Sequence, residues 1–200
     1  LIKGKLNRAN FILARSGKFL TQEVRVLVYN SLVKSVLEFG SWVYGHCGKS
    51  LIDQLYILQK KIVRNVVGAR GKVHTNPLFA RLGFLKLPDL IQYNTQVTGW
   101  KIWNRKAPEN LCDGYIKVFP TRDTRSSQGK NFKVPFCKLV RMQIAPCYSV
   151  TKNWNCLIES TKNIDKLRSF KGKIMKDYIE SYLREPICKV KNCYACFSAV

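Results

Sequence analysis

The stretch SLIDQLYILQKKIVRNVVG, Ser50 to Gly68, decides the fold class. Set at about 100° per residue, Leu51, Leu55, Leu58, Ile62 and Val66 fall within roughly one third of a helical circumference. Lys60, Lys61 and Arg64 fall within about 100° of one another on a different face. The spacing predicts one helix carrying an apolar seam beside a compact basic patch. Ser50 with Asp53 three residues on resembles a capping box, Asp taking the usual Glu position. Gly68 stands where a helix closes on a left-handed residue. Basic clusters of this kind also occur on helix faces that are merely solvated, so the patch alone names no partner.

The flanking segments read as more helices. Residues 5–19 predict a first one, with Leu6, Ile12, Leu13 and Phe19 apolar and Gly17 weakening its end. Thr21 is placed to cap a second, running to about Glu38. Its apolar residues occupy one side (Val24, Leu27, Val28, Leu32, Val36, Leu37) and the opposite side as well (Val26, Tyr29, Val33), which predicts burial all round. Gly40 and Gly45 bracket an aromatic turn from Phe39. Pro77 suits the first turn of a short helix capped by Asn76 and stopped at Gly83. Pro88 opens another, with Leu90, Ile91, Val97, Trp100, Ile102 and Trp103 as its apolar positions. After Pro108 the 3.6 period fades among Pro120, Pro135, Pro146 and the run Ser126 to Gly129, leaving an extended connector with two short strands near 115–119 and 132–140. Helical spacing returns with Ile164, Leu167, Phe170, Ile174, Tyr178 and Leu183. The expected architecture is mainly α: a helical domain over 1–106, an extended basic connector over 107–150, a C-terminal helical segment over 151–185 and a Cys-rich tail over 186–200.

Charge bears on the partner. Lys and Arg number 35 against 12 acids, a formal net charge of +23. The excess is spread along the chain, fifteen bases against four acids over residues 1–90 and twenty against eight over 91–200. At such a charge self-repulsion opposes folding unless a polyanion neutralises it, and nucleic acid is the first candidate. An apolar fraction of 46% excludes wholesale disorder. No apolar run approaches the ~18 residues of a membrane span, so no membrane partner is expected. The opening residues lack an initiator Met and a signal-peptide pattern, and Leu1 suggests a piece of something longer. The thiols are then expected to be reduced, with Cys47, Cys112, Cys137, Cys147 and Cys156 as small buried hydrophobes. Cys188, Cys193 and Cys196 have the spacing of a zinc knuckle whose fourth ligand Cys112, His74 or a downstream residue would have to supply, and idle reduced thiols are the preferred reading. Catalytic groups are scarce. The acids are scattered with no pair at i, i+2, only His46 and His74 occur, and no phosphate-cradling glycine loop is present.

Four stretches carry a family likeness. They are Phe39-Gly-x-x-Val-Tyr-Gly45, then Leu55-x-x-Leu-Gln-Lys-Lys-x-x-Arg64, then His74-Thr-Asn-Pro-Leu-Phe79, and Leu82-Gly-Phe-Leu-Lys-Leu87-x-Asp89. Farther on come Thr124-Arg125, Phe132-x-Val-Pro135, Trp154-Asn155 and Phe170-Lys171. In this order they resemble the region downstream of the polymerase palm in non-LTR (LINE-like, jockey and CR1-type) retrotransposon reverse transcriptases. Tyr44 stands where that pattern has Trp, and the Gly that usually precedes Trp154-Asn155 is missing.

The resemblance implies a helical thumb-like domain that lies along the primer–template, while the metal-binding aspartates and their Mg²⁺ belong to a palm in the same polyprotein. The Phe/Tyr-x-Asp-Asp turn is missing here, so the chain alone is expected to be inactive. Its implied nucleic-acid contacts are Lys60, Lys61 and Arg64, then Arg70, Lys72 and His74 after the helix, and Arg122, Arg125, Lys130 and Lys133 in the connector. Contacts of this kind position a duplex through its phosphates without reading sequence. Trp100, Trp103 and Trp154 are expected to be core in preference to base-stacking platforms. Expected partners are RNA and DNA (primer–template and element RNA) and the upstream palm. No cofactor is expected in the chain beyond structural zinc at the tail cysteines, and the nucleus is expected from function. Two other readings remain: a stand-alone RNA- or DNA-binding module, and a basic structural protein that meets acidic protein partners.

Overall fold

A computed structural model describes residues 1–69, 73–118, 129–143 and 145–184, with the backbone alone at Arg141. The fold is mainly α, as the helical spacing predicts. Two compact units form. One gathers residues 1–41, 48–90 and 176–184, the other residues 42–47 and 91–175. Both are assembled from non-contiguous segments, whereas the ranges drawn from sequence are contiguous. No described helix is long and apolar enough to cross a membrane.

The first unit is built on α1 (Ile2–Ser16), α2 (Gln22–Tyr29) and α3 (Ser35–Glu38), with a π-helical turn over Asn30–Lys34 between the last two. Thr21 caps α2, its hydroxyl accepting from the Val24 amide at 3.5 Å. The π turn is absent from the sequence reading, which expects one uninterrupted helix. Across it the Ser31 and Ser35 hydroxyls donate back to the carbonyls of Leu27, Val28 and Ser31, competing locally with the helical ladder. Across this turn Tyr29, Val33 and Leu37 face inward. The predicted all-round burial fails: Leu27 is 66% and Leu32 42% exposed. The helix packs against α1 and α5, which leaves these side chains uncovered.

After α4 (Ser41–Tyr44) comes α5 (Lys49–Val67), the axis of this unit. Ser50 and Asp53 form no capping box. The helix begins earlier, with Gly48 at the cap position and no side-chain cap. The seam also turns by one residue, so Ile52 and Val63 are buried with Leu55, Leu58, Ile62 and Val66, while Leu51 is 54% exposed. Gly68 closes the helix at φ 74°, and Ala69 donates to the Arg64 carbonyl at 2.9 Å. Arg25 from α2 reaches the same end, its guanidinium donating to the Asn65 carbonyl at 3.3 Å where the helix dipole favours a cation. α1 runs parallel to α5, tied by Lys3 to Gln54 at 3.0 Å and by Asn65 to Asn10 at 2.9 Å.

Gln59 is the hub of this core. Fully buried on α5, its amide nitrogen donates to the Tyr29 hydroxyl and to the Leu85 carbonyl, both at 3.0 Å, and its oxygen accepts from the Leu87 amide at 2.9 Å. The Tyr29 ring stacks on Phe84 with centroids 4.0 Å apart. Phe84, Leu85 and Leu87 link α6 (Asn76–Leu82), which Gly83 ends at φ 65°, to the start of α7 (Leu87–Trp103). Thr75, one residue before the expected Asn76, holds the cap position of α6. Tyr182, on α12 (below), closes the unit: its hydroxyl accepts from the Lys86 amide at 3.1 Å and donates to Asp89 at 2.6 Å, and the Lys86 ammonium lies 4.2 Å from its ring centroid.

The second unit follows α7 with α8 (Glu109–Asp113), β1 (Lys117–Val118), β2 (Asn131–Phe132), α9 (Val140–Gln143), α10 (Pro146–Asn155), α11 (Glu159–Lys162) and α12 (Leu167–Arg184), whose last turns belong to the first unit. Its core is aromatic. Trp100, Phe132, Trp154 and Phe170 are almost wholly buried, and Trp103 lies 6.1 Å from Trp154 and 5.3 Å from Phe132 between ring centroids. A Cβ placed on Gly99 would come within 3.1 Å of Trp154, so α7 approaches that indole closely because position 99 lacks one. The predicted strands shrink to a two-residue antiparallel pair, Lys117 opposite Phe132 and Val118 opposite Asn131. The expected strand over 132–140 stops at Phe132, with Pro135 unable to extend a ladder, and α10 occupies ground expected to be connector. The five single cysteines are also corrected. Cys47, Cys147 and Cys156 are exposed, and Cys112 and Cys137 are half-buried, because they stand in turns, helix ends and short elements outside the aromatic and aliphatic cores.

Candidate nucleic-acid interface

The solvent side of α5 carries the patch expected from its sequence, but the three cations there differ. Lys61 is exposed. Lys60 is half-buried, with its ammonium 4.3 Å from the centroid of the Tyr56 ring, an arrangement that keeps the charge at the surface while the stem packs. Arg64 is spent inside the fold. Its Nε and Nη2 both donate to the Val73 carbonyl, at 3.2 and 3.1 Å, which holds Val73 against α5. Lys61 is therefore the exposed cation of this patch with Lys60 half-covered beside it, and Arg64 is committed to the Val73 carbonyl. His74, next to that anchored carbonyl, is half-buried. Arg70 and Lys72 lie outside the described residues.

In the second unit Lys117 lies on β1, and Lys130 and Lys133 immediately flank β2. The Lys117 ammonium sits 4.8 Å from the Trp103 ring centroid, and Lys133 is exposed. What holds this segment is the Trp154-Asn155 pair. The Trp154 indole donates to the Lys130 carbonyl at 2.7 Å. Asn155 acts as a surrogate strand, its oxygen accepting from the Phe132 amide and its nitrogen donating to the Phe132 carbonyl, both at 2.9 Å. Lys162 lies beneath with 2% of its side chain exposed, its ammonium donating to Asn131 at 2.8 Å, to the Asn155 carbonyl at 3.2 Å and to Glu159 at 3.4 Å. This lysine is fully partnered and structural. Lys133 is thus displayed on a clamped base with Lys130 half-buried beside it, whereas Arg122 and Arg125 lie outside the described residues. Trp100 and Trp154 are core, as their helical spacing predicts.

The buried phenols offer no low-pKa nucleophile. Burial, with a smaller contribution from Cys147, pushes the Tyr115 hydroxyl up to about 12, and burial raises Tyr29 and Tyr182 further. His46 is held below its ordinary value by burial. Among the described residues no three His, Cys, Asp or Glu side chains gather as a metal site. Cys188, Cys193 and Cys196 lie outside them. One basic surface escaped the sequence reading. α1 carries Lys3, Lys5, Arg8 and Arg15, and no acid occurs before Glu23. That one-sided charge is the signal that was available.

The chain is strongly cationic and mainly α, with Lys61 and Lys133 among its exposed lysines and Lys86 and Lys162 taken into the cores. No protein-family model matches the chain, and no solved structure matches it. Over 88 residues it is 32% identical to the RNA-directed DNA polymerase from mobile element jockey of Drosophila melanogaster. That stretch is 44% of this chain and 10% of the polymerase. The chain is thus similar, over part of its length, to a retrotransposon reverse transcriptase, and it spans a small fraction of that relative.

Proposed function

We propose that this chain is a thumb-like, nucleic-acid-holding part of a non-LTR retrotransposon reverse transcriptase, gripping primer–template or element RNA through phosphates while a palm elsewhere in the polyprotein performs catalysis. The observation that carries the reading is the similarity to the jockey polymerase, found in a chain with net charge +23. Lys60 and Lys61 contact phosphate in the first unit and Lys133, with Lys130, in the second. These are point charges on flexible stems, suited to sequence-blind grip. The site of action is the nucleus, where target DNA lies.

The test is fluorescence anisotropy with an RNA–DNA hybrid and two duplex DNAs of unrelated sequence, alongside a primer-extension assay with dNTPs and Mg²⁺. The reading expects affinities for the two DNAs within about threefold of each other, binding at ~0.15 M salt and no extension product. Absence of binding at that salt, with capture of a polyglutamate probe instead, would favour an acidic protein partner. Extension product would place catalysis in this chain. For the tail, Cys193→Ser separates the two uses of its cysteines: a knuckle loses stoichiometric zinc, and idle thiols show none to lose.

A further inference from the structure

α1 presents a second surface, distinct in chemistry from the α5 patch. Leu6, Ala9 and Leu13 fix its buried side. Gly4, Arg8, Phe11 and Arg15, spaced i, i+4, i+7 and i+11, then fall in a band about 60° wide at the centre of the solvent side. Phe11 is 61% exposed, and the Arg15 guanidinium carbon lies 5.3 Å from its ring centroid. A Cβ at Gly4 would meet nothing within 4 Å, so the upper end of the band is open. Lys5 and Lys3 flank it, and no acid in the first 22 residues offsets these charges. Lys3 also donates to Gln54, which stands two helical turns before Lys61 on the same strip of α5. The two basic surfaces therefore adjoin.

An exposed aromatic face set between arginines suits a particular ligand. A phosphate duplex asks only for charge and leaves the ring unused. An unpaired base stacks on an aromatic face while flanking cations take the phosphates on either side. A lipid surface fits less well, because the apolar side of α1 is already buried in the core and arginines occupy the middle of its free side. We propose that the Arg8–Phe11–Arg15 band docks single-stranded nucleic acid, with Phe11 as the stacking platform and the two arginines as phosphate contacts. The proposal rests on the reading that the chain binds nucleic acid, and it adds a single-strand site beside the duplex-gripping lysines.

The experiment measures the full chain by anisotropy against a labelled 20-nucleotide oligo-dT and against an RNA–DNA hybrid, with phosphatidylserine vesicles as a third probe. Phe11→Ala is expected to weaken oligo-dT binding about tenfold or more, the loss of stacking on one base, and to leave hybrid affinity within about twofold. Phe11→Tyr is expected to restore it. Arg8→Gln with Arg15→Gln is expected to weaken oligo-dT binding and to flatten its salt dependence. Equal losses on both nucleic acids, or none on oligo-dT, would overturn the α1 site while wild-type binding still upheld the general reading. A loss confined to vesicles would also overturn it. Failure of the wild type to bind either nucleic acid would remove both.

Discussion

Replacing Gln59 by Leu keeps the volume of the side chain and removes all three of its hydrogen bonds. The Leu85 carbonyl, the Leu87 amide and the Tyr29 hydroxyl would each lose their Gln59 partner inside the core. A buried polar group stranded in this way costs about 1–3 kcal/mol. The added methyl groups return roughly 1–2 kcal/mol of transfer free energy, so the three stranded groups leave a net loss of roughly 1–8 kcal/mol, centred near 4. That is a large share of the ~5–15 kcal/mol that holds most domains folded. With a urea m-value of about 2 kcal/mol/M, the midpoint falls by roughly 2 M. Tyr29→Phe removes one of the three bonds and is expected to cost about 1 kcal/mol. Gln54→Leu, on the exposed strip of the same helix, is expected to stay within about 0.5 kcal/mol. A Gln59→Leu midpoint within ~0.3 M of wild type, at unchanged m, would refute Gln59 as the hub.

Lys60→Ala and Lys61→Ala are each expected to lower the salt slope of duplex binding by about 1, whereas Arg64→Ala leaves the slope alone and lowers thermal stability by freeing the segment at Val73; equal slope losses for all three would return Arg64 to the interface. Gly99→Ala gains about 1 kcal/mol of helix propensity and loses ~1–3 from crowding Trp154, so scanning calorimetry is expected to show a lower Tm, and a rise would mean that α7 shifts freely. His46, held below its ordinary pKa of 6.5 by burial, binds its proton more readily once unfolded, so its contribution to stability is full above pH 6.5 and is lost as pH falls below it. His46→Gln is expected to flatten that part of a pH–stability curve, and an unchanged curve would assign the dependence elsewhere.

Local chemistry was legible in the sequence where one residue decides the structure. Thr21 as a cap, Gly68 and Gly83 as left-handed helix ends, and Trp100 and Trp154 as core follow from single positions and their spacing. Features that depend on distant partners were not legible. Nothing in Gln59 distinguishes it from Gln54 until Tyr29, Leu85 and Leu87 are brought around it. Burial of Ile52 in place of Leu51 turns on which way α1 lies against α5. The aliphatic residues of α2 predicted full burial because a period shows how many faces are apolar, and says nothing of how many are covered. On α5 the same limit applies. Lys60, Lys61 and Arg64 lie close in angle, yet only the carbonyl of Val73, nine residues on, separates the structural arginine from the two lysines beside it. Trp154-Asn155 stood out as a motif, and its role as a clamp on Phe132 needed the fold.

The central claim is grip through phosphate, and its most direct test is the salt dependence of binding to an RNA–DNA hybrid, measured by anisotropy from ~0.05 to 0.3 M. Contacts from Lys60, Lys61, Lys130 and Lys133 predict a log–log slope of about −4, the same for hybrids of unrelated sequence. A slope shallower than about −1, or binding that follows sequence and ignores salt, would contradict it.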